Sequence, residues 1–234
     1  ALLGDNVVEN SANMPWYEGG TLLSHLEEIH VGSDRNLQDC RFPIQYVIRP
    51  QTDEDRDFRG YAGRVASGVF KVGDKVVALP SGMQSRIKEI FIGSDPVERA
   101  FPPQSVTMTL ESDIDLSRGD MLVRENNQPR SLQEIDAQLC WMGEEGLKPG
   151  VRYIVRHGTT EVKSTIREVL YKVDINTLHR NEDDKQISMN DIARVRLRIA
   201  SPLLTDDYRR NRTTGSFILI DPGTNLTVAA GFIN

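Results

Sequence analysis

From Phe42 to the end of the 234-residue chain, no segment of convincing length sustains a helical period. Short apolar–polar alternations are instead cut every few residues by Gly, Pro and Asp, the pattern of antiparallel β-structure. "SVTMTL" sends Val106, Met108 and Leu110 to one side. "RVRLRI" does the same with Val195, Leu197 and Ile199 and leaves Arg194, Arg196 and Arg198 on the other face, while "VLYKVDI" groups Val169, Tyr171, Val173 and Ile175. "SLQEIDAQLCW" is ambiguous in period and reads as strand at its end. "FKVGDKVVALPSG" and "LSRGDMLV" turn at Gly-Asp and "LKPGVRYIV" at Pro-Gly, where proline sets φ at one corner and glycine permits positive φ at the next. Many short strands bury little apolar surface unless the sheet closes on itself. The fold class expected is therefore all-β, two consecutive small antiparallel β-barrels preceded by one α-helix.

The helix is announced by Thr21, a capping residue behind Gly19-Gly20, followed by Leu22, Leu23, Leu26 and Ile29 on one face. Such a stripe needs a body to pack on. A polar break with a proline, "NNQPRS" at 126–131, leaves about a hundred residues on either side, a comfortable barrel size. The closing "GSFILIDPGTNLTVAAGFIN" reads as a hairpin, Phe217 to Ile220 and Leu226 to Ile233, around Pro222-Gly223 with Thr224 and Asn225 completing the turn. The charged stretches 51–57 and 179–185 read as solvated loops.

Composition removes several functions. A formal charge of −6 and a pI near 5.3 argue against a general nucleic-acid binder, whose affinity comes from neutralising phosphates. No apolar run approaches the ~20 residues of a membrane helix. Cys40 and Cys140 are a hundred positions apart and read as ordinary reduced thiols; His25, His30, His157 and His179 show no metal-ligand spacing, so no metal is expected. The cluster Arg209, Arg210 and Arg212 reads as a solvated loop. Independent chemistry is sparse. Asp113 and Asp115 would share a strand face as paired carboxylates, but fit equally a strand end entering a turn. Ser216 lacks a nucleophile-elbow context. Arg194, Arg196 and Arg198 suit an anion site, or else solubility or sheet-edge protection.

"DFRGYAGRVASGVFKVGDKVVALPSG", Asp57 to Gly82, resembles the β-barrel second domain of the translation-factor GTPase superfamily. The combination of "RGYAG", "ASG", "VGD" and "LPSG" with "MPWYEGGTLL", "ESDIDLSRGDMLV", "YKVDINTL" and "GSFILIDPGTNLTVAAGFI" is similar, over nearly the whole chain, to the GTP-binding large subunit of bacterial sulfate adenylyltransferase (ATP sulfurylase). Pro222-Gly223, Ala229 and the long acidic stretch 51–57 depart from the family pattern.

The resemblance implies that 1–31 is the tail and last helix of a G domain, 32–127 a barrel of the domain II type and 128–234 one of the domain III type. It makes Ala1 and Leu2 the remnant of a guanine-facing Ser-Ala-Leu loop, and the chain a C-terminal fragment without its G domain. The motifs for phosphates, Mg²⁺ and guanine are not in this sequence. GTP and Mg²⁺ are then expected on the upstream G domain, with no catalytic residues and no GTP hydrolysis here. The implied role is sulfate activation for cysteine biosynthesis in the cytoplasm. There GTP hydrolysis drives a smaller partner subunit that makes adenylyl sulfate and pyrophosphate from ATP and sulfate. Arg59, Tyr61 and Arg64 are the candidate partner interface; the competing reading puts Tyr61 in the core and the arginines over strand edges. No nucleic acid or membrane is expected as partner. The alternatives are an elongation-factor fragment that receives aminoacyl-tRNA and a free-standing two-barrel interaction module. Whether an adenylyl-sulfate kinase domain is fused elsewhere stays open.

Overall fold

The computed structural model describes residues 3–29, 35–50, 58–148 and 150–234. They fall into two compact units, Ala1–Arg35 and Asn36–Asn234. In the first, helix α1 (Leu22–Glu28) starts where the cap places it: Thr21 Oγ1 accepts the Ser24 N–H at 3.1 Å. Leu22 and Leu23 donate their amides to the carbonyls of Asn6 and Val7, both at 2.9 Å, which ties the helix start to the loop before it. The apolar stripe of Leu22, Leu23, Leu26 and Ile29 remains exposed.

Among the described residues the second unit holds two seven-stranded sheets and one two-stranded sheet, with all pairings antiparallel. The first uses β1 (Arg41–Ile48), β2 (Gly60–Arg64), β4 (Lys75–Leu79), β5 (Met83–Ile92), β6 (Asp95–Pro96), β8 (Ser105–Leu110) and β9 (Met121–Val123). Between them, β3 (Phe70–Lys71) and β7 (Arg99–Ala100) form a separate two-stranded sheet. The order is β4-β9-β1-β2-β8-β5-β6, and β4 also pairs with β5, so six strands close into a barrel. The second sheet uses β10 (Arg130–Trp141), β11 (Arg152–His157), β12 (Thr160–Val173), β13 (Arg180–Asn181), β14 (Ile192–Thr205), β15 (Ser216–Ile220) and β16 (Thr227–Ile233). Its order is β11-β15-β16-β10-β14-β12-β13, and a β11–β12 pairing joins six strands into another ring.

Closure gives each alternating strand an inside. Val106 and Met108 of β8 join Phe42, Ile44, Phe70, Ile87 and Leu122 in one core. Val195, Leu197 and Ile199 of β14 join Ile135, Leu139, Trp141 and Phe217 in the other. A smaller cluster of Val77, Leu79, Met121 and Val123 packs against Leu204 and joins the two rings. Close packing explains one glycine of "RGYAG": a Cβ on Gly63 would lie 2.4 Å from the Pro43 carbonyl oxygen. Gly150 holds the positive φ, +77°, expected of a Pro-Gly turn.

Three details differ from the sequence reading. The whole of "SLQEIDAQLCW" is strand, within β10. The grouping of Val169, Tyr171, Val173 and Ile175 is broken by register shifts on β12 at Ile166/Glu168 and Val169/Tyr171, and Ile175 lies past the strand end, exposed. β14 is interior, between β10 and β12, so its arginines protect no edge. The stretch 51–57 and His30 lie outside the described residues. Cys40 is buried and Cys140 half-buried, both as free thiols. Among the described residues no helix is long and apolar enough to cross a membrane.

Candidate functional site

The barrel-two signature begins on β2, whose alternation turns Tyr61 and Gly63 inward and Arg64 outward. Tyr61 is 1% exposed, and its hydroxyl donates to the Ile114 carbonyl. Burial pushes that hydroxyl's pKa up. Tyr61 is therefore a core residue, and the interface reading narrows to the arginines. Arg59 donates to Asp113 and, at 2.9 Å, to the Ile114 carbonyl; Arg64 donates to the Pro103 carbonyl at 3.1 Å. Arg49, Arg59, Lys88, Glu89, Glu111 and Asp113 line a groove of about 730 Å³, a rim with equal numbers of cations and anions. Ala1 and Leu2 lie outside the described residues.

Asp113 and Asp115 sit beyond the end of β8, where period-two reasoning no longer applies. Both are exposed, and the Arg59 guanidinium reaches both, meeting Asp113 and lying 3.9 Å from Asp115, which also meets Arg49 at 3.2 Å, so the two carboxylates are held by cations. Ser216 is a half-buried strand residue opposite Phe232. The arginine stripe is also spoken for. Arg194 grips Asp136 at 2.7 and 2.8 Å, Arg196 meets Glu168 at 3.1 Å and Arg198 meets Glu134 at 2.8 Å. Arg194, foremost, holds the Asp136 carboxyl below its usual range. Cations neutralised across neighbouring strands leave little pull for a sulfate or phosphate.

The densest polar constellation lies where the two rings meet, and the sequence reading missed it. Arg41, the first residue of β1, is 2% exposed. Its Nε and Nη2 donate to the two carboxylate oxygens of Asp206, both at 2.9 Å. Its Nη1 donates to the Cys40 carbonyl at 2.9 Å and to Asn127 of the inter-ring linker at 2.7 and 2.8 Å. Thr214 Oγ1 adds a 2.6 Å bond to Asp206, and the Asn211 amide reaches Ser67 Oγ at 2.7 Å. Alongside, Asp39 accepts two 2.6 Å bonds from Arg210 and one each, also 2.6 Å, from Asn36 and Asn127. Arg210 above all, with Asn36 and Asn127, holds the Asp39 carboxyl well below the carboxylate range despite its burial. His157 Nε2 lies 2.8 Å from the Thr214 carbonyl, and burial keeps its pKa low, so the neutral ring donates. Arg209, Arg210 and Arg212 are all exposed, as a solvated loop requires, but Arg210 also reaches across to grip the buried Asp39. One signal was available, a charged Arg41 set inside the apolar run from Cys40 to Ile44.

Among the described residues no three His, Cys, Asp or Glu side chains are grouped to hold a metal ion. The carboxylates that stand out already serve arginines, so these residues do not fit a magnesium–nucleotide site.

A family model described as GTP-eEF1A C-terminal domain-like matches residues 134–234. Sup35 complexed with GDP superimposes with a TM-score of 0.74 at 18% identity, over 99% of this chain and 56% of that one. Elongation factor SelB from Methanococcus maripaludis, apo form, gives 0.68 at 17%, over 91% and 46%. The fold is therefore that of the β-barrels found in translation-factor GTPases. Curated relatives narrow the class. The bifunctional enzyme CysN/CysC of Mycobacterium tuberculosis is 54% identical over all of this chain and 38% of its own length. Sulfate adenylyltransferase subunit 1 of Bacteroides fragilis is 48% identical, again over the whole chain and 48% of its own length. The chain belongs to the family of sulfate adenylyltransferase subunit 1 and its CysN/CysC relatives, and spans less than half the length of these two.

Proposed function

We propose that this chain is the β-barrel region of the GTP-binding subunit of a sulfate adenylyltransferase. It supports GTP-driven formation of adenylyl sulfate from ATP and sulfate. The observation that carries the reading is the 54% and 48% identity to such proteins along the whole chain. The two rings correspond in this reading to domains II and III of the translation-factor plan. GTP and Mg²⁺ belong to a separate G domain of the longer protein, and the chain's work is mechanical. A buried, densely hydrogen-bonded junction fits that work, because two rings locked in register can turn as one body when a nucleotide-dependent domain moves. The partner is the adenylylating subunit, with Arg59 and Arg64 among the residues that meet it.

The test uses the longer protein with its adenylylating subunit. Adenylyl sulfate synthesis by the assembled pair should rise with GTP. Arg64→Ala and Arg59→Ala together should weaken subunit affinity about tenfold or more in calorimetry, as for an interface arginine worth about 1.4 kcal/mol. Unchanged affinity removes the proposed face. A pair that assembles but shows no GTP dependence overturns the coupling role.

A further inference from the structure

We infer that the second ring carries a docking slot for an extended peptide segment of a partner protein, between the diverging ends of β12 and β14. The cause is written in "RIASPLLT". Pro202 has no N–H to give a neighbouring strand, and proline inside a sheet is confined to edges and bulges. The β12–β14 ladder accordingly reaches Ser164↔Ile199 and stops. Past that pair β14 follows β10 instead, resuming at Leu132↔Leu203 after a register shift, while the Gln133 side chain supplies a 3.3 Å bond to the Ala200 carbonyl. β12 meanwhile continues to Thr160 with β11 on one side. Among the described residues no strand pairs with the other edge of Thr160–Lys163, nor with the facing edge of Ser201–Pro202.

A cleft of about 570 Å³ opens there, and the first ring overhangs it where the Thr160 hydroxyl donates to the Gly119 carbonyl at 3.4 Å. That volume is typical of a ligand site, and a junction between two folded bodies is a typical place for one. Its chemistry selects a backbone rather than a charge. Pro202, Met121 and Leu204 supply an apolar lining, and the hydroxyls of Ser131, Thr159 and Ser201 supply a polar rim. At the mouth Glu161 is paired with Arg156 at 2.5 Å, while Arg118, which donates to the Gln45 carbonyl at 2.9 Å, and Asp120, which accepts from the Ser117 amide at 2.7 Å, set one cation against one anion. With a single cation set against a single anion, the slot offers strand edges above all. An extended segment with small, uncharged side chains adds to the Thr160–Lys163 edge and lies against Ser201–Pro202, whose proline gives it no N–H. This inference rests on ring geometry alone and stands whether or not the sulfate reading does.

The experiment pans the intact chain against a phage-displayed library of random heptapeptides. Enriched sequences should be mostly uncharged. Synthetic copies should lose at least tenfold in affinity on a Ser201→Trp variant, whose exposed bulge can take an indole that fills the slot without entering the core. Matching thermal unfolding of variant and wild type shows that the fold is kept, and Thr159→Trp repeats the block from the other wall. N-methylation of a central peptide residue should cost a further tenfold, and peptide binding should slow amide exchange at Glu161–Lys163. Failure to enrich any sequence, equal affinity for the blocked variants, or unchanged exchange at those amides overturns the proposal.

Discussion

At the ring junction Arg41 meets Asp206 with side chains 2% and 7% exposed, whereas the ladder on the outer face of the second ring pairs Arg194, Arg196 and Arg198 with Asp136, Glu168 and Glu134 at 32–58%. Similar chemistry has different consequences in the two places. Water screens the outer pairs and offers each partner an alternative, so they contribute little apiece. The inner pair has been taken out of water at a large desolvation cost, offset because the Arg41 guanidinium and both Asp206 oxygens are fully engaged, although the neighbouring Thr205 hydroxyl is buried without a partner. Such a pair is weak as a source of stability and strong as a determinant of geometry, since a shifted register would strand a charge.

The sharpest way to break the comparison is to remove one inner partner. Arg41→Ala leaves Asp206 buried and unpaired and should destabilise by about 3–5 kcal/mol in urea unfolding. A loss below about 1 kcal/mol would show that water reaches the junction as freely as the outer face. The paired replacement Arg41→Met with Asp206→Leu should recover much of that loss, because it removes the stranded charge along with the bond.

The second test uses acid. Asp39 holds its proton less tightly in the folded chain than in the unfolded one, chiefly through Arg210. Its stabilisation is complete above the ordinary carboxylate pKa of about 4 and fades as pH falls toward the depressed folded value. Asp39→Asn should therefore lower Tm at pH 7, and the gap from wild type should narrow as pH falls from 5 toward 2. A gap constant across that range would mean that the Asp39–Arg210 pair carries no net charge interaction. The smallest effect belongs to the ladder. Arg196→Ala should cost no more than about 1 kcal/mol in the same unfolding assay, and added salt should shrink that cost.

What could be read in advance was local. The Thr21 cap, the strand runs of "SVTMTL" and "RVRLRI" and the Pro-Gly turn all appear where residue chemistry put them, because caps, period-two alternation and positive φ depend on a few neighbouring residues. The candidate site was only half legible. An alternating pattern tells that Tyr61 and Arg64 lie on opposite faces but not which face closes inward, and the ring settled that by burying Tyr61. Alternation on β12 failed at its bulges, which answer to the neighbouring strand and not to β12's own residues.

The sequence by itself determined an all-β chain of antiparallel strands, a helix capped by Thr21 and, through its motifs, a family. The tertiary structure decided which strands close each ring, that β14 abandons β12 after Ile199, and that Arg41 finds Asp206 165 positions away. The reason is physical. Dihedral preference and periodicity act over a few residues, whereas the burial of a charge is decided only when distant surfaces meet and each desolvated group must find a partner.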